Sequence, residues 1–285
     1  MADNQTGTVP SNGTAPVNDP APNNGPVIVA DDDSVASSST SLASSILQHR
    51  IENGRTYHKY KDGNLQHNIY LLTLDYKLGL APPNDKDSGV KRVLDIGTGT
   101  GLWAIDFGEE HPEAECFIDL AGTAHADVVS GLAPGGYAEV FEGHIRPECD
   151  DGTLTPEHAL SKWVDKIEEC GKIFGRLWTD VPSLAPMMKE IGFVDVTIAK
   201  YKWPISPWAK DQHYRELGSW CQENFMEGLE GFTMAPFTRG LGWTREEVDV
   251  FLIDVRKDLK DRSIHAYSPM WTIYARRPLE EEAAE

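Results

Sequence analysis

The sequence predicts an α/β protein, in which helices alternate with strands around a largely parallel sheet. Three observations carry this prediction. Residues 90–96 form a short apolar run that ends in glycines, as buried parallel strands often do. A helical pattern follows at once, and the C-terminal half again alternates helix-like with strand-like segments. Turn residues such as Pro134-Gly135-Gly136 separate these segments.

The elements follow from apolar spacing and capping residues. We expect helices over residues 65–78, 102–107 and 214–232, one beginning after Thr155 and one ending at Gly192, with strands over 90–96, 115–120, 137–141, 193–203 and 270–275. Thr155 is expected to cap its helix, with Pro156 at the first position. Thr244 and Glu247 have the spacing of a capping box, which predicts a further helix after Thr244.

Composition divides the chain into three regions. Residues 1–45 contain no Lys or Arg and too few apolar side chains to offset the entropy of ordering, so they are predicted to be disordered. Residues 46–278 contain the periodic segments and are predicted to form one domain. Residues 279–285 are expected to be an acidic tail.

Charge and cysteine content exclude several classes. The formal net charge of −19 argues against direct nucleic-acid binding, which needs a basic surface. No apolar run approaches the ~18 residues of a membrane span, and the N-terminus lacks a signal-type apolar segment. We therefore expect an intracellular protein, cytoplasmic or nuclear, that does not associate with membranes. The cysteines lack C-x-x-C spacing, which predicts free thiols and no metal site: Cys116, Cys149, Cys170 and Cys221.

The candidate site is the run Asp95-Ile96-Gly97-Thr98-Gly99-Thr100-Gly101, which leads from a strand into a helix. Glycine permits positive φ and close approach of a ligand to the backbone. The start of the helix offers unpaired N–H groups and positive potential, which suit a phosphate or a carboxylate equally. A Walker loop is excluded, because Gly101 is not followed by Lys and Ser/Thr.

Three interpretations of this run stay open. A dinucleotide fingerprint fits only from Gly99, with Ala104 as its small residue. The pattern Asp-x-Gly-x-Gly-x-Gly suits S-adenosylmethionine, because Asp95 would meet the cofactor's ammonium group but would repel a pyrophosphate. A glycine turn without a ligand is the third. Asp119 is either a ligand of the ribose hydroxyls or a solvated turn residue. The predicted cofactor contacts are Asp95, Gly97, Thr98, Gly99, Gly101 and Asp119.

A series of segments extends the pattern beyond the glycines. "LQHNIYLLTLDYKLGLAPP", "VLDIGTGTGLWAIDF", "LAPGGYAEV", "DDGTLTP", "ENFMEGLEGF" and "IHAYSPMWTIYARRP" resemble the LaeA-like fungal methyltransferases, which include regulators of secondary metabolism. The resemblance covers most of residues 54–278. It implies a Rossmann-like class I methyltransferase sheet with C-terminal helical additions, and S-adenosylmethionine as cofactor. It also implies a small-molecule or protein methyl acceptor, with regulatory protein partners.

Compared with that family, the chain is short in the middle. Only residues 120–134 separate Asp119 from the next glycine turn, where the family has two further strands and part of the adenine pocket. A parallel crossover needs a dozen or more residues, so about two strands are predicted to be missing. Loss of a central strand leaves its neighbours ~9.6 Å apart, twice the pairing distance. Either Val93-Leu94 then pairs with residues 138–140, or the chain is unstable alone.

Methyl transfer from a sulfonium depends mainly on positioning, so no catalytic residue is assigned. The candidate bases are His58, His144 and His265, although a surface or packed histidine is the favoured explanation for each. Tyr57 and His58 either fold over the cofactor or belong to a helix core. The aromatic residues that line either an acceptor pocket or plain core are Trp203, Trp208, Trp220 and Phe225.

The predicted function is an S-adenosylmethionine-dependent methyltransferase that regulates or builds secondary metabolites. Two alternatives belong to other classes: a non-catalytic pseudo-methyltransferase that acts through protein contacts, and a dinucleotide oxidoreductase.

Overall fold

The structure is a computed structural model that describes residues 25–31, 49–52, 55–58, 65–119, 131–176 and 180–282. Strands β1 (His49–Glu52) and β2 (Arg55–His58) form an antiparallel hairpin, and helix α1 (Leu65–Thr73) follows in the chain. The chain has a mixed α/β architecture with three separate sheets, counted over the described ranges.

Part of the N-terminal stretch predicted to be disordered packs against the body of the protein. Ala30 forms an isolated antiparallel bridge with Ala209, and the Asp31 carboxylate lies 3.3 Å from the Arg215 guanidinium. Ile28 contacts the cluster around Trp208. These contacts concern residues 25–31; the rest of that stretch lies outside the described residues.

The glycine loop follows one strand of a two-stranded parallel sheet, which we call the first sheet. Strand β3 (Arg92–Ile96) leads through the glycines into helix α2 (Leu102–Glu110), and β4 (Glu115–Asp119) then pairs with β3. Ile96 and Asp119 are opposite each other at the carboxyl end of the pair. We call β3, α2 and β4 the glycine-loop unit.

The second sheet consists of β5 (Tyr137–Gly143), β6 (Glu148–Cys149), β7 (Val194–Pro204) and β8 (Ala266–Arg276). Strand β8 lies in its middle. Strands β5 and β6 pair with one edge of β8 and β7 pairs with the other, all antiparallel. Strands β5 and β7 therefore run in the same direction on opposite sides of the last strand of the chain.

The other α-helices that lie wholly within the described ranges are α3 (Ala159–Ile173), α4 (Leu184–Glu190), α5 (Gln212–Gly240) and α6 (Arg245–Lys260). Helices α3, α5 and α6 share a core of buried aliphatic and aromatic side chains. Within that core the Trp163 indole donates a 2.8 Å hydrogen bond to the Thr233 hydroxyl. The predicted capping box of α6 is confirmed, with Thr244 and Glu247 bonded reciprocally.

Helix α1 connects the glycine-loop unit to the second sheet. Leu65, Ile69 and Leu72 pack against aromatic residues of β7 and α5. Leu71 faces the other way and packs with Phe107 of α2. The helix therefore buries side chains on two faces, and both parts of the domain contact it.

Helix α1 is shorter than predicted. It ends at Thr73 rather than at residue 78. Asp75 and Tyr76 have positive φ angles of 51° and 62°, and the Tyr76 N–H donates to the Leu71 carbonyl. This left-handed turn satisfies a C-terminal carbonyl and stops the helix, although the apolar spacing continues beyond it.

The prediction that Thr155 caps helix α3 is wrong. The helix begins at Ala159, because the Thr155 N–H donates to the His158 ring 3.0 Å away and the residues between them form a turn. The Leu160 N–H instead donates to the Asp258 carboxylate of α6, at 2.9 Å. The acceptor comes from far along the chain, which local sequence patterns do not reveal.

The predicted pairing across the missing central strand, between β3 and β5, is also wrong. Among the described residues, β3 pairs with β4 alone and β5 pairs with β8 alone, so Val93-Leu94 and residues 138–140 share no ladder. On β5, the Glu139 carboxylate instead accepts a 2.7 Å bond from the Leu80 N–H, in the segment between α1 and β3. The two sheets are therefore joined by side-chain contacts and not by strand pairing.

Candidate functional site

The glycine loop follows β3 directly, and all three of its glycines need the conformational freedom of glycine. Gly97, Gly99 and Gly101 have φ angles of 75°, 56° and 81°. Side chains other than glycine rarely adopt this region. The Gly97 N–H donates to the Asp119 carbonyl at 3.0 Å, and the Gly101 N–H donates to Thr98 at 2.9 Å. These bonds fix a tight turn at the carboxyl end of the first sheet.

Described atoms leave open the space in front of this loop. A Cβ added at Gly97 would meet no described atom within 4 Å. At Gly99 the nearest described atom would be the Gly97 carbonyl oxygen at 3.8 Å, and at Gly101 a Thr98 methyl at 3.9 Å. Close packing within the described protein therefore does not explain the glycines. Their backbone is accessible to a ligand.

The N-terminus of α2 adds hydrogen-bond donors to the loop. Gly101 caps this helix without a side-chain acceptor from any described residue. Leu102, Trp103 and Ala104 carry the first-turn N–H groups, for which the helix itself has no acceptor. These groups also meet no backbone acceptor elsewhere in the described ranges. Such a helix start favours an anionic group.

Asp95 provides a carboxylate just before the glycines. Its Oδ2 atom is inaccessible to solvent and has no hydrogen-bond partner among the described residues. Burial raises the pKa of Asp95, and the Thr98 hydroxyl acts in the opposite sense. Thr98 is itself buried and donates to the Asp95 carbonyl at 3.0 Å. An ionised Asp95 would be stabilised by a cationic ligand at this position.

Asp119 is half-buried at the end of β4, opposite Ile96. Its carbonyl anchors Gly97, and the residue makes further interactions of its own. The structure thus brings all the predicted cofactor contacts to one edge of the first sheet, since the other five follow one another in the chain. Whether they bind a cofactor stays a prediction.

The contacts described for the candidate bases do not involve the glycine loop. The His144 ring accepts a 3.1 Å bond from the Arg146 N–H just after β5. The His265 ring is bonded to Asp151 and packs against Trp208. The side chain of His58 lies outside the described residues, as does that of Tyr57. Both described histidines are thus engaged in local structure.

The aromatic residues that were predicted to line either an acceptor pocket or the core lie in the core. Trp203, Trp208 and Trp220 are almost fully buried, and Phe225 packs against the core of α3, α5 and α6. Their polar atoms have partners too: the Trp208 indole, for example, donates to the Ala266 carbonyl at 2.9 Å. Two open clefts of about 440 and 400 Å³ lie elsewhere on the surface, and neither includes the glycine loop.

Other predictions concern metals, thiols and membranes. All four cysteines are free. Across the described part of the chain, no group of three or more His, Cys, Asp or Glu side chains is arranged to hold a metal ion. In the same part, none of the helices combines the length and apolar character needed to cross a bilayer.

Sequence reasoning missed the polar contacts that connect the glycine-loop unit to the rest. The Trp103 indole donates to the Leu78 carbonyl at 2.7 Å, and His67 lies 2.9 Å from Asp106. Glu139 was missed as well, although a carboxylate in the apolar run "YAEVF" is a signal for a buried polar contact.

Comparison with known proteins identifies the family. No protein-family model matches the chain. The methyltransferase pytC of Aspergillus terreus is 32% identical over 302 aligned positions, which cover 85% of this chain and 92% of that protein. The chain belongs to the LaeA-like family of fungal methyltransferases. Further LaeA-like relatives are the probable methyltransferase tdiE of Emericella nidulans, 29% identical over 75% of this chain and 80% of that protein, and the secondary metabolism regulator LAE1 of Cochliobolus heterostrophus, 26% identical over 80% and 94%.

This LaeA-like chain has fewer residues than its relatives within the aligned region. The pytC alignment spans 302 positions, whereas 85% of 285 residues is about 242, so about 60 positions contain no residue of this chain. The LAE1 alignment spans 290 positions, and 80% of the chain is 228, which leaves about 62. The number of positions without a residue of this chain is therefore similar in both alignments.

Proposed function

We propose that this chain is an S-adenosylmethionine-dependent methyltransferase of secondary metabolism, acting as a regulator or as a tailoring enzyme. The observation that carries the proposal is Asp95: a buried carboxylate oxygen without a partner among the described residues, beside an open glycine loop. The names of the relatives support the reaction class. We further propose that it acts inside the cell, in cytoplasm or nucleus.

The residues of the loop fit the amino-acid end of this cofactor. We assign Asp95 to the ammonium group, because it supplies negative charge where the described chain offers no cation. The N–H groups at the start of α2 are assigned to the carboxylate, and Asp119 to the ribose hydroxyls. When bound, the cofactor supplies a methyl group on a positively charged sulfur. The chain's own contribution is to bind and orient the two reactants.

We propose that the first sheet and the second sheet are the two ends of a Rossmann-like class I sheet that lacks about two strands. The first sheet would be one end, and the second sheet, with β8 antiparallel between β5 and β7, the other. A strand–helix–strand unit takes about 30 residues or more, so the excess of about 60 positions in pytC is large enough for two strand–helix units.

The acceptor is proposed to be a small molecule or a protein, and regulatory members of the family imply protein partners. A base is required only if the acceptor must lose a proton. We assign none, because His144 and His265 are both occupied by local contacts.

A thermal-shift titration with S-adenosylmethionine and its demethylated product tests the proposal. A ligand that binds the native state raises the melting temperature as its concentration rises. We expect this for the wild type and not for Gly99→Val, whose side chain would enter the open loop. Gly242→Val is the matched control, because Gly242 also has positive φ and open space around it but lies between α5 and α6. Equal donor affinity in Gly99→Val and the wild type would contradict the assignment, and stabilisation by NAD alone would favour an oxidoreductase.

A second candidate function is a pseudo-methyltransferase that acts through protein contacts. The exposed apolar side chains of the first sheet favour it: Leu94 and Phe117 are 48% and 45% exposed. Such a protein would show a melting temperature that does not respond to millimolar donor or product. That outcome in the wild type would replace the first proposal with the second.

A further inference from the structure

The segment from Gly79 to Asn84 connects the two parts of the domain, and it is held by one carboxylate. Glu139 of β5 accepts bonds from the Leu80 N–H at 2.7 Å, the Ala81 N–H at 3.0 Å and the Asn84 amide at 2.9 Å. Burial raises the pKa of Glu139, and these three hydrogen bonds act in the opposite sense. A carboxylate with three donors fixes the path of this segment.

The junction is closely packed. A Cβ added at Gly79 would lie 2.4 Å from the Asn84 amide nitrogen and 2.6 Å from a Glu139 carboxylate oxygen. Only glycine therefore fits at this position without moving both groups. The Asn84 amide also donates to the Ala81 carbonyl at 3.0 Å, so it bonds both to the segment itself and to Glu139 of β5.

Leu78, the residue just before this segment, contacts the start of the helix that follows the glycine loop. The Trp103 indole donates to the Leu78 carbonyl at 2.7 Å, and its ring stacks on Phe107 at 4.9 Å. Leu78, Phe107 and Val93 belong to one apolar cluster with Trp103. Trp103 is the second residue of α2, whose first-turn N–H groups face the proposed donor site. A continuous path of contacts therefore runs from Glu139 to the glycine loop.

We propose that Glu139 is a positioning residue for donor binding: through the segment at Leu78–Ala81 and the Trp103 indole, it sets the position of the helix start. The proposal rests on the function proposed above. Glu139 does not belong to the donor contacts, and acts on them through the residues it holds. Loss of its bonds releases the segment, lets the start of α2 move and weakens donor binding.

Glu139→Gln tests this with little change of shape. Its amide nitrogen would face either the Leu80 N–H alone or the Ala81 N–H together with the Asn84 amide, so one or two hydrogen bonds are lost. We expect S-adenosylmethionine affinity, measured by calorimetry, to fall about threefold to tenfold. Amide hydrogen exchange at Leu80, Ala81 and the start of α2 should become faster.

The variant Glu139→Ala removes the acceptor of all three hydrogen bonds. Its loss of donor affinity should therefore exceed that of Glu139→Gln. Thr244→Ala is the control for general destabilisation, because it removes the N-terminal cap of α6. The hydrogen bonds described for Thr244 do not involve Glu139 or the segment that it holds. Thr244→Ala should lower the melting temperature and leave donor affinity and exchange at α2 unchanged.

The outcomes separate the two proposals. Wild-type affinity in Glu139→Gln, or an equal loss in Thr244→Ala, would overturn the positioning role while donor binding stands. A loss in Glu139→Ala no greater than that in Glu139→Gln would also count against it. Absence of donor binding in the wild type would refute the proposed function itself, and the positioning role with it.

Discussion

The first and second sheets differ in how well they are covered. In the second sheet, Ile273 and Ala275 of the central strand β8 are fully buried. In the first sheet, Leu94, Phe117 and Ile118 are 48%, 45% and 55% exposed. The sheet with the candidate ligand site therefore buries less apolar surface than the second sheet. The best-packed core and the candidate ligand site are located in different regions.

The difference has a thermodynamic consequence. Regions with few buried apolar contacts open more readily than the core. The glycine-loop unit has a small core that it shares with Leu71 and Leu78 of the α1 region. A ligand at the glycine loop would thus stabilise the less stable region, while the core of α3, α5 and α6 supports the global fold.

The largest expected loss of stability is for a substitution in the second sheet. Ile273→Ala removes a fully buried side chain at the centre of that sheet and should lower the free energy of unfolding by about 2–5 kcal/mol, measured by urea denaturation. Its counterpart in the first sheet, Leu94→Ala, should cost less than about 1 kcal/mol, because that side chain is half exposed. Equal losses would mean that the two sheets are equally well packed in solution.

The next largest effect is expected from the charge of Asp95, which acts on both stability and donor affinity. Burial raises the pKa of this group in the folded protein above its unfolded value, so stability falls as pH rises past the unfolded pKa, and the full cost of the ionised form is present above the folded pKa. Asp95→Asn should remove this cost and make the ligand-free protein somewhat more stable at neutral pH. Donor affinity should fall by about tenfold in the variant, as expected when one charge-assisted contact is lost.

Calorimetric titrations at several pH values complete that test. In the wild type, donor affinity should decrease on acidification through the raised pKa of Asp95, because the protonated acid no longer attracts an ammonium group. In Asp95→Asn it should stay low and change little over the same range. An affinity that the substitution leaves unchanged would separate Asp95 from the donor.

The smallest effect is expected on the exposed face of the first sheet. Leu94→Lys should change the free energy of unfolding by no more than about 0.5 kcal/mol, because exposed positions tolerate substitution. Thermal and urea unfolding would measure it beside Leu94→Ala. A loss of several kcal/mol would show that this face is covered in solution, and would remove the contrast with the second sheet.

The sequence predicted best those features that depend on neighbouring residues. The apolar run before the glycines is a parallel strand, and Gly97, Gly99 and Gly101 all have positive φ. The capping box at Thr244 is another local pattern that is confirmed. Each of these is determined within a few residues, so its signal is present in a short window.

Features that depend on distant residues were not predictable in this way. Leu160 at the start of α3 is bonded to Asp258, 98 positions away, and Glu139 bonds to residues 55 to 59 positions earlier in the chain. The pairing of β5 with β8 in place of β3 is of the same kind. Such contacts depend on which elements meet in three dimensions, and local spacing contains no information about that.

The position of β8 also affects how this protein is made. The central strand of the second sheet is residues 266–276, so β5 and β7 leave the ribosome well before their shared partner. Both strands then carry unpaired backbone groups, which invite association with other chains. Translation that stops before residue 266 would therefore yield an aggregating product rather than a shorter folded protein.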